Sequence, residues 1–423
     1  MKDGDGLTVM QKAIFTLLLL FLLTACRDDD EIPVTYSEGT NEYVNQWVYE
    51  QMKRYYYWNS SIPGNIDLSL GPKEYFKQLL SPEDPFSYLY HPSIPGSYPK
   101  SLRRSYGFDM AMKEYQGHVY GVVLYTLTSS PAENAGLQRG TLVYLVNGVE
   151  LSRSNYDQLY ESLVNSEQAQ LQTLTFSEEE GFSPFRQINI YQSYTYDQYV
   201  SWSVIEHGSK KAGFVYIPHF DEGLARRFVE IFSDLKGREV TDIVLDLRYN
   251  TGGDVSSATA LCSILAPDIR YDDLFIRFVG NENGGTVSQT FEEALAMNEP
   301  GVSFESLCNA HPSITRVYIL CGSHTASASE IVINNLKPYM EVITIGETTT
   351  GKDVAGFTIE DDRYPDGQGW VLYPAIYKLF NANEEGNYAM GITPDYMLNE
   401  LESLEVKPLG DINEVLLKKA LGL

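Results

Sequence analysis

Residues 321–357 read "CGSHTASASEIVINNLKPYMEVITIGETTTGKDVAGF". They place Ser327 among small residues at the start of a helical pattern and Lys352 just past the following strand pattern. A serine hydroxyl is a weak nucleophile and needs a base within hydrogen-bond reach. A lysine can be that base only when burial lowers its pKa from ~10.4 toward ~7–8, because an ammonium has no lone pair. Such a pair can be acylated by a peptide carbonyl and then hydrolysed, with backbone donors holding the oxyanion and no metal required. Taken singly, each residue also has an ordinary role. "SASE" fits a Ser-x-x-Glu capping box with Glu330 reciprocating, Lys352 alone is a surface cation, and the "TGG" at 251–253 is a turn.

Histidine is the competing base. His324 lies three residues before Ser327 and His219 ends a strand pattern, so a Ser/His arrangement is conceivable, with no carboxylate partner evident by spacing. His91, His118, His207 and His311 show no metal-ligand spacing, and neither a metal nor a cofactor is expected.

The elements that must position these residues alternate from about residue 212. "AGFVYIPHF", "VTDIVLDLR", "TRVYILCG" and "VITIGE" read as strands. "EGLARRFVEIFSDLKG", "VSSATALCSILAP" and "ASEIVINNLKPY" read as helices between them, which predicts βαβ crossovers and a helix-covered parallel sheet. If the strands before Ser327 and Lys352 are parallel neighbours, ~5 Å apart, both residues emerge at one carboxyl edge. "RYNTGG" follows a third strand and brings Gly252 and Gly253 to that edge. A nucleophile, a base and an oxyanion-binding loop then share a crevice.

Upstream, "NEYVNQWVYEQMKRYYYW" and "PKEYFKQLLSPEDPFSYL" have helical spacing, and short strands and turns begin near residue 101. The expected fold is multidomain α+β and α/β: an N-terminal helical module (41–100), a β-rich domain (101–195) and an α/β core (196–423). The 57 acidic against 31 basic residues of the 423-residue chain give a formal net charge of -26. That excess disfavours nucleic acid and anionic lipid head groups as partners.

The start of the chain reads as an export signal. Met10 begins "MQKAIFTLLLLFLLTAC", an apolar run shorter than the ~20 residues needed to span a bilayer, with small residues before Cys26. "LLTAC" resembles the lipobox of bacterial lipoproteins, which implies cleavage before Cys26 and lipid attachment to its thiol. "RDDDE" reads as a solvated tether over 27–40 and is similar to surface-export signals of some Gram-negative lipoproteins. The resemblance implies a lipid-anchored protein of the bacterial cell envelope, at the outer membrane. The remaining Cys262, Cys308 and Cys321 do not make a disulfide framework.

"SSPAENAGLQRGTLVYLVNGVEL", residues 129–151, resembles the helix, glycine turn, strand and "NG" hairpin of PDZ domains attached to bacterial proteases. Ser130 is a candidate cap and Asn147-Gly148 suits a two-residue hairpin. The resemblance implies that "SYGFDM", through Tyr106, Gly107 and Phe108, receives a peptide C-terminal carboxylate on backbone N–H groups. "LDLRYNTGG", "GSHTASASEI", "IGETTTGK" and "GITPD" together resemble the signature of the C-terminal processing, or tail-specific, peptidases. That family implies Ser327 as nucleophile, Lys352 as general base, and an oxyanion hole from the amides of Ala328 and a glycine of Gly252-Gly253. It also implies protein or peptide substrates with free C-termini. Many members carry a glutamine four residues after the lysine to orient the amine, where this chain has Gly356. Either Thr350, Asp353 or water orients Lys352, or the site is impaired and the chain only binds peptide tails.

Overall fold

The computed structural model describes residues 35–195, 198–208, 210–299 and 301–423. The expected signal segment, Cys26 and the first part of the acidic tether lie outside the described residues. Among the described residues no helix is long and apolar enough to cross a membrane.

Helix α1 (Asn41–Tyr55) starts at Thr40, whose hydroxyl accepts the Tyr43 amide. It buries Val44, Trp47, Val48 and Met52, one stripe of an amphipathic helix. Helix α2 (Pro72–Leu79) begins with a proline, which suits a first turn whose N–H groups have no partner, and buries Tyr75, Phe76 and Leu79. The cluster these helices form is not self-contained. It is completed by Val354, Leu372 and Ala375 from far along the chain, and β1 (Tyr88–Tyr90) also pairs outside the module.

The next segment opens with the short helix α3 (Leu102–Ser105). Strands β2 (Phe108–Tyr115), β3 (His118–Thr126) and β4 (Leu142–Val146) follow. Helix α4 (Tyr156–Asn165) and strands β5 (Gln168–Leu174) and β6 (Arg186–Tyr191) complete the domain. The strands run β2-β3-β4-β5-β6, all antiparallel. Ser130 caps its helix by accepting the Glu133 amide at 3.2 Å. Asn147 and Gly148, at φ 50° and 80°, turn the chain so that Val146 pairs with Val149, the two positive φ values that a two-residue hairpin needs.

The core is a six-stranded sheet. In chain order its elements are β7 (Ser201–His207), β8 (Lys210–Tyr216), α5 (Ala225–Gly237), β9 (Asp242–Asp246), α6 (Val255–Leu265) and β10 (Arg316–Cys321). After them come α7 (Ala328–Leu336), β11 (Glu341–Gly346), β12 (Val371–Tyr373), β13 (Tyr396–Met397) and α8 (Val415–Leu421). The sheet order is β7-β8-β9-β10-β11-β13; only the first pair is antiparallel. Strand β12 lies outside it and pairs with β1. Every residue of β9 is buried, as expected where helices cover both faces of a parallel strand.

A buried charge network ties the domains together. Arg248, 1% exposed, donates to Asp246 (2.9 Å), to both oxygens of Glu414 (2.8 and 2.9 Å) and to Glu400 (3.2 Å). Arg139, from the β-rich domain, reaches the same Glu400 at 2.8 Å and touches the Tyr249 hydroxyl, which donates to Glu400. Burial alone would raise the pKa of Glu400 and Glu414; Arg139 and Arg248 outweigh it and hold both carboxyls below their usual range. Depressed carboxylates contribute stability that is fully present above the unfolded value of ~4.3 and is lost as pH falls through the folded values. Arg248→Leu leaves Asp246 without its buried cation, takes the bidentate partner from Glu414 and leaves Glu400 to Arg139, and is expected to lower unfolding free energy by about 3–5 kcal/mol at neutral pH. Denaturant titration checks this, and the gap to wild type should narrow as the medium is acidified through the carboxylate range.

Candidate active site

Strands β10 and β11 are adjacent and parallel, with Cys321 level with Gly346, so the chain leaves both at one edge of the sheet. Strand β9 borders β10 on its other side. The loops after these strands are stitched together. The Leu247 amide donates to Leu320 O at 2.9 Å, Thr325 Oγ1 to Leu247 O at 2.8 Å, and Ser329 Oγ to Asn250 O at 3.0 Å. The Thr350 amide donates to Thr325 O at 2.9 Å.

Ser327 stands at the strand-to-helix turn with φ 56° and ψ −117°. An N-cap normally has extended backbone, and a non-glycine residue held in this sparsely populated region costs on the order of 1–3 kcal/mol. Sharp turns of this kind project a serine hydroxyl from the end of a sheet. Glu330, fully buried on α7, holds the turn. Its Oε2 accepts the Ser327 amide at 2.8 Å and the Lys352 amide at 2.9 Å, while Oε1 accepts the Gly351 amide at 2.7 Å and Thr349 Oγ1 at 2.6 Å. One carboxylate thus fixes both backbones. Burial lifts its pKa above the ordinary carboxyl value, opposed by these four hydrogen bonds. The "SASE" spacing signals only the Ser327 half of this arrangement.

The two glycines differ. The Gly252 amide donates to Asn250 Oδ1 at 2.8 Å and is engaged within its own turn. Among the described residues the amides of Gly253 and Ala328 have no acceptor. A Cβ on Gly252 would stand 2.6 Å from Ser327 Cβ and 3.0 Å from Ala328 N, so only glycine leaves this approach open.

Lys352 is half-buried, its Nζ 5.9 Å from the Phe86 ring and 5.5 Å from the Tyr373 ring. Desolvation lowers its pKa, opposed by the negative charges of Glu330 and Asp84. Gly356 cannot carry an orienting side chain: a Cβ there would meet Pro374 O at 2.0 Å and the Tyr373 ring at 3.4 Å. The substitutes expected from sequence are engaged elsewhere. Thr350 Oγ1 donates to Ser323 O at 2.8 Å, and both Asp353 oxygens accept from Lys378 at 2.8 Å. Asp84, Phe86 and Tyr373 come from distant segments, and no spacing in the sequence points to them.

His324 has a carboxylate partner that spacing did not reveal, Asp109 Oδ2 of β2 at 3.1 Å from Nε2. Its Nδ1 faces Ser323 Oγ at 3.5 Å, so neither ring nitrogen is committed to Ser327. His219 Nε2 lies beside Gly253, 3.1 Å from where a Cβ would be. In the loop expected to offer free amides to a carboxylate, two of the three amides are engaged. Tyr106 N donates to Leu102 O at 2.8 Å, and Gly107 N donates to Leu102 O (3.0 Å) and Arg103 O (3.1 Å), because both amides close the end of α3. Phe108 is fully buried. Over this edge, α4 sends the Tyr156 hydroxyl to Met110 O at 3.1 Å and the Tyr160 hydroxyl to Asp109 Oδ1 at 2.7 Å.

Removing the Glu330 carboxylate would take the acceptor from the buried Gly351 amide and Thr349 hydroxyl and from the part-buried amides of Ser327 and Lys352, and a buried donor left unpaired costs about 1–3 kcal/mol. Glu330→Ala is expected to lower the melting temperature sharply, and Glu330→Gln, which keeps one acceptor oxygen, to lower it less. Thermal unfolding followed by circular dichroism checks the order of the three proteins.

The chain matches Peptidase family S41 over residues 211–398 and the Peptidase S41 N-terminal domain over residues 43–88, together more than half of its length. It is 25% identical over 284 residues to carboxyl-terminal-processing peptidase 1, chloroplastic, of Arabidopsis thaliana, covering 66% of this chain and 52% of that protein. It is 23% identical over 227 residues to the tail-specific protease of Haemophilus influenzae, covering 52% and 29%. The chain therefore spans about half or less of the length of these relatives. A crystal structure of a Bacteroides fragilis protein assigned as an S41 protease superimposes with a TM-score of 0.70 at 27% identity, covering 92% of this chain and 97% of that one. The photosystem II D1 C-terminal processing protease shares the fold, with a TM-score of 0.52 at 18% identity over 91% of this chain and 99% of that one. With both of its matched regions assigned to one family and its fold shared along nearly the whole chain, this protein belongs to peptidase family S41.

Proposed function

We propose that the chain is a serine endopeptidase acting on protein or peptide substrates, with Ser327 as nucleophile and Lys352 as general base. The observation that carries this reading is the Glu330 carboxylate, which accepts the amides of Ser327 and Lys352 together. The neutral amine of Lys352 takes the Ser327 proton as Oγ bonds to the substrate carbonyl carbon. The oxyanion lies against the amides of Ala328 and Gly253. As the C–N bond breaks, the ammonium returns the proton to the leaving amine, and water, deprotonated by Lys352, then releases the acid product. The names of the relatives support substrates cut near free C-termini. A decayed core that only captures peptide tails is not favoured, because the lowered Lys352 pKa and the open Ala328 and Gly253 amides suit catalysis.

The β-rich domain is read as PDZ-like. With the Tyr106 and Gly107 amides engaged and α4 hydrogen-bonded across to β2, it favours gating over recruitment in this arrangement. Its Asp109 contact to His324 reaches the loop that carries Ser327.

Ser327→Ala and Lys352→Ala are each expected to lower cleavage of unfolded casein by on the order of 10^4-fold or more, with the double variant no worse than either. Lys352→Arg should be equally inactive, since a guanidinium keeps its proton. Because the folded Lys352 pKa lies below the ordinary lysine value, wild-type activity should rise with pH as the amine deprotonates, through neutral into mildly alkaline solution. A serine-acylating fluorophosphonate that labels a site other than Ser327, or turnover by Lys352→Arg with intact fold, would refute the dyad.

The "LLTAC" pattern supports a lipid on Cys26 and residence at the outer membrane of a bacterial envelope. Cys26→Ala is expected to abolish lipid labelling and release the protein from the membrane fraction. A variant that stays in membranes as uncleaved precursor would replace the lipoprotein reading by a transmembrane anchor.

A further inference from the structure

With Gly356 closed to any side chain, the surroundings of the Lys352 amine come from the N-terminal segment. Residues 81–87, "SPEDPFS", fold into a turn around Asp84, which is 5% exposed. Asp84 Oδ1 accepts the amides of Phe86 (2.9 Å) and Ser87 (3.0 Å), and Oδ2 accepts the Ser87 hydroxyl. Ser87 Oγ in turn accepts the Ala375 amide at 2.8 Å, which pins the turn beside β12. Strand pairing adds to this: Tyr88 is level with Tyr373, and their rings stack at 5.0 Å. The turn thereby sets the Phe86 ring on one flank of Lys352 Nζ, with the Tyr373 ring also against it.

Among the described residues Asp84 makes no contact ion pair, although a buried carboxylate without a cation is costly. The Phe86 ring of this turn lies 5.9 Å from Lys352 Nζ. We propose that Asp84 is a positioning residue for Lys352: from its turn in the N-terminal segment it supplies the fixed negative charge that steadies the ammonium formed when the amine takes the Ser327 proton. This rests on the reading of Lys352 as the base. A carboxylate in direct contact would keep the lysine protonated; one that makes no ion pair with it favours the ammonium without locking it in, and acts more strongly in a desolvated site than it would in water. The groups facing the amine are Glu330 from α7, Asp84 and Phe86 from the turn, and Tyr373 from β12, whose hydroxyl burial keeps neutral. The nearby Asp353 is neutralised by Lys378. The base is therefore assembled from two distant parts of the chain, and the N-terminal module belongs to the catalytic unit.

The test uses the full chain, unfolded casein as substrate and a fluorophosphonate as reporter of Ser327 reactivity. Asp84→Asn and Asp84→Ser both remove the charge while keeping a turn-forming side chain. Each is expected to lower kcat by roughly tenfold or more with KM little changed, and to move the acid limb of both kcat and Ser327 labelling to lower pH, because an influence that raises the Lys352 pKa is gone. Asp84→Glu should restore part of the rate and return the limb toward wild type. Wild-type limbs in both neutral variants, or lost activity with unmoved limbs in proteins of lowered melting temperature, would overturn the proposal and leave Asp84 a turn residue. A wild type that is itself unreactive at Ser327 would instead overturn the dyad reading on which the proposal rests.

Discussion

A single buried carboxylate, Glu330, decides whether this site exists. Four donors from two stretches of chain converge on it: the Ser327 amide at the turn, and the Thr349 hydroxyl with the amides of Gly351 and Lys352. Satisfying a fully buried charge with that many hydrogen bonds is what makes its burial tolerable. The same bonds hold Ser327 in a backbone conformation it would not otherwise adopt, and keep the Lys352 backbone in register with it. The tolerance is small. Gly252 must approach Ser327 without a Cβ, and its own amide is tied to Asn250, while the amides of Gly253 and Ala328 have no acceptor among the described residues.

The rest of the molecule brings these loops to the place where that carboxylate can bind them. The parallel sheet sets β9, β10 and β11 side by side and ends them at a common edge. Immediately behind the edge, Arg248 and Arg139 gather Asp246, Glu400 and Glu414 into a network that joins the β-rich domain, the loop before Asn250 and the C-terminal segment. Because a buried charge left unpaired is far more costly than the pair is favourable, the network specifies one arrangement of three chain segments. The Asp109–His324 contact adds a second link from the β-rich domain to the loop that carries Ser327. Motion of that domain would therefore be felt at Ser327 through a short and polar path.

The surroundings of the Lys352 amine are built without any side chain from position 356. The Lys352 backbone is fixed by Glu330, while its amine lies among groups from β12 and from the turn after α2. The aromatic walls remove water and lower the pKa; the two carboxylates limit how far it falls. The shared core of the N-terminal helices with Val354, Leu372 and Ala375 is then more than a packing convenience, since it holds the segment that surrounds the amine.

Local signals in the chain were enough for much of this. The alternation of strand and helix patterns from residue 212 gave a parallel sheet because hydrophobic periodicity is local and strands joined by helices leave few topologies. The order Ser327, strand, Lys352, with "TGG" after an earlier strand, placed these three loops at one edge because parallel neighbours end together. Asn147-Gly148 and Ser130 were legible because turns and caps are set by adjacent residues. What pairs across long separations was not legible. No spacing could link Asp109 to His324, Asp84 to Lys352, or Arg139 to Glu400, since each contact depends on how domains dock. The engagement of the Tyr106 and Gly107 amides by α3, and the closure of Gly356 by Pro374, were equally hidden, because which backbone groups remain free is decided only when the chain has packed.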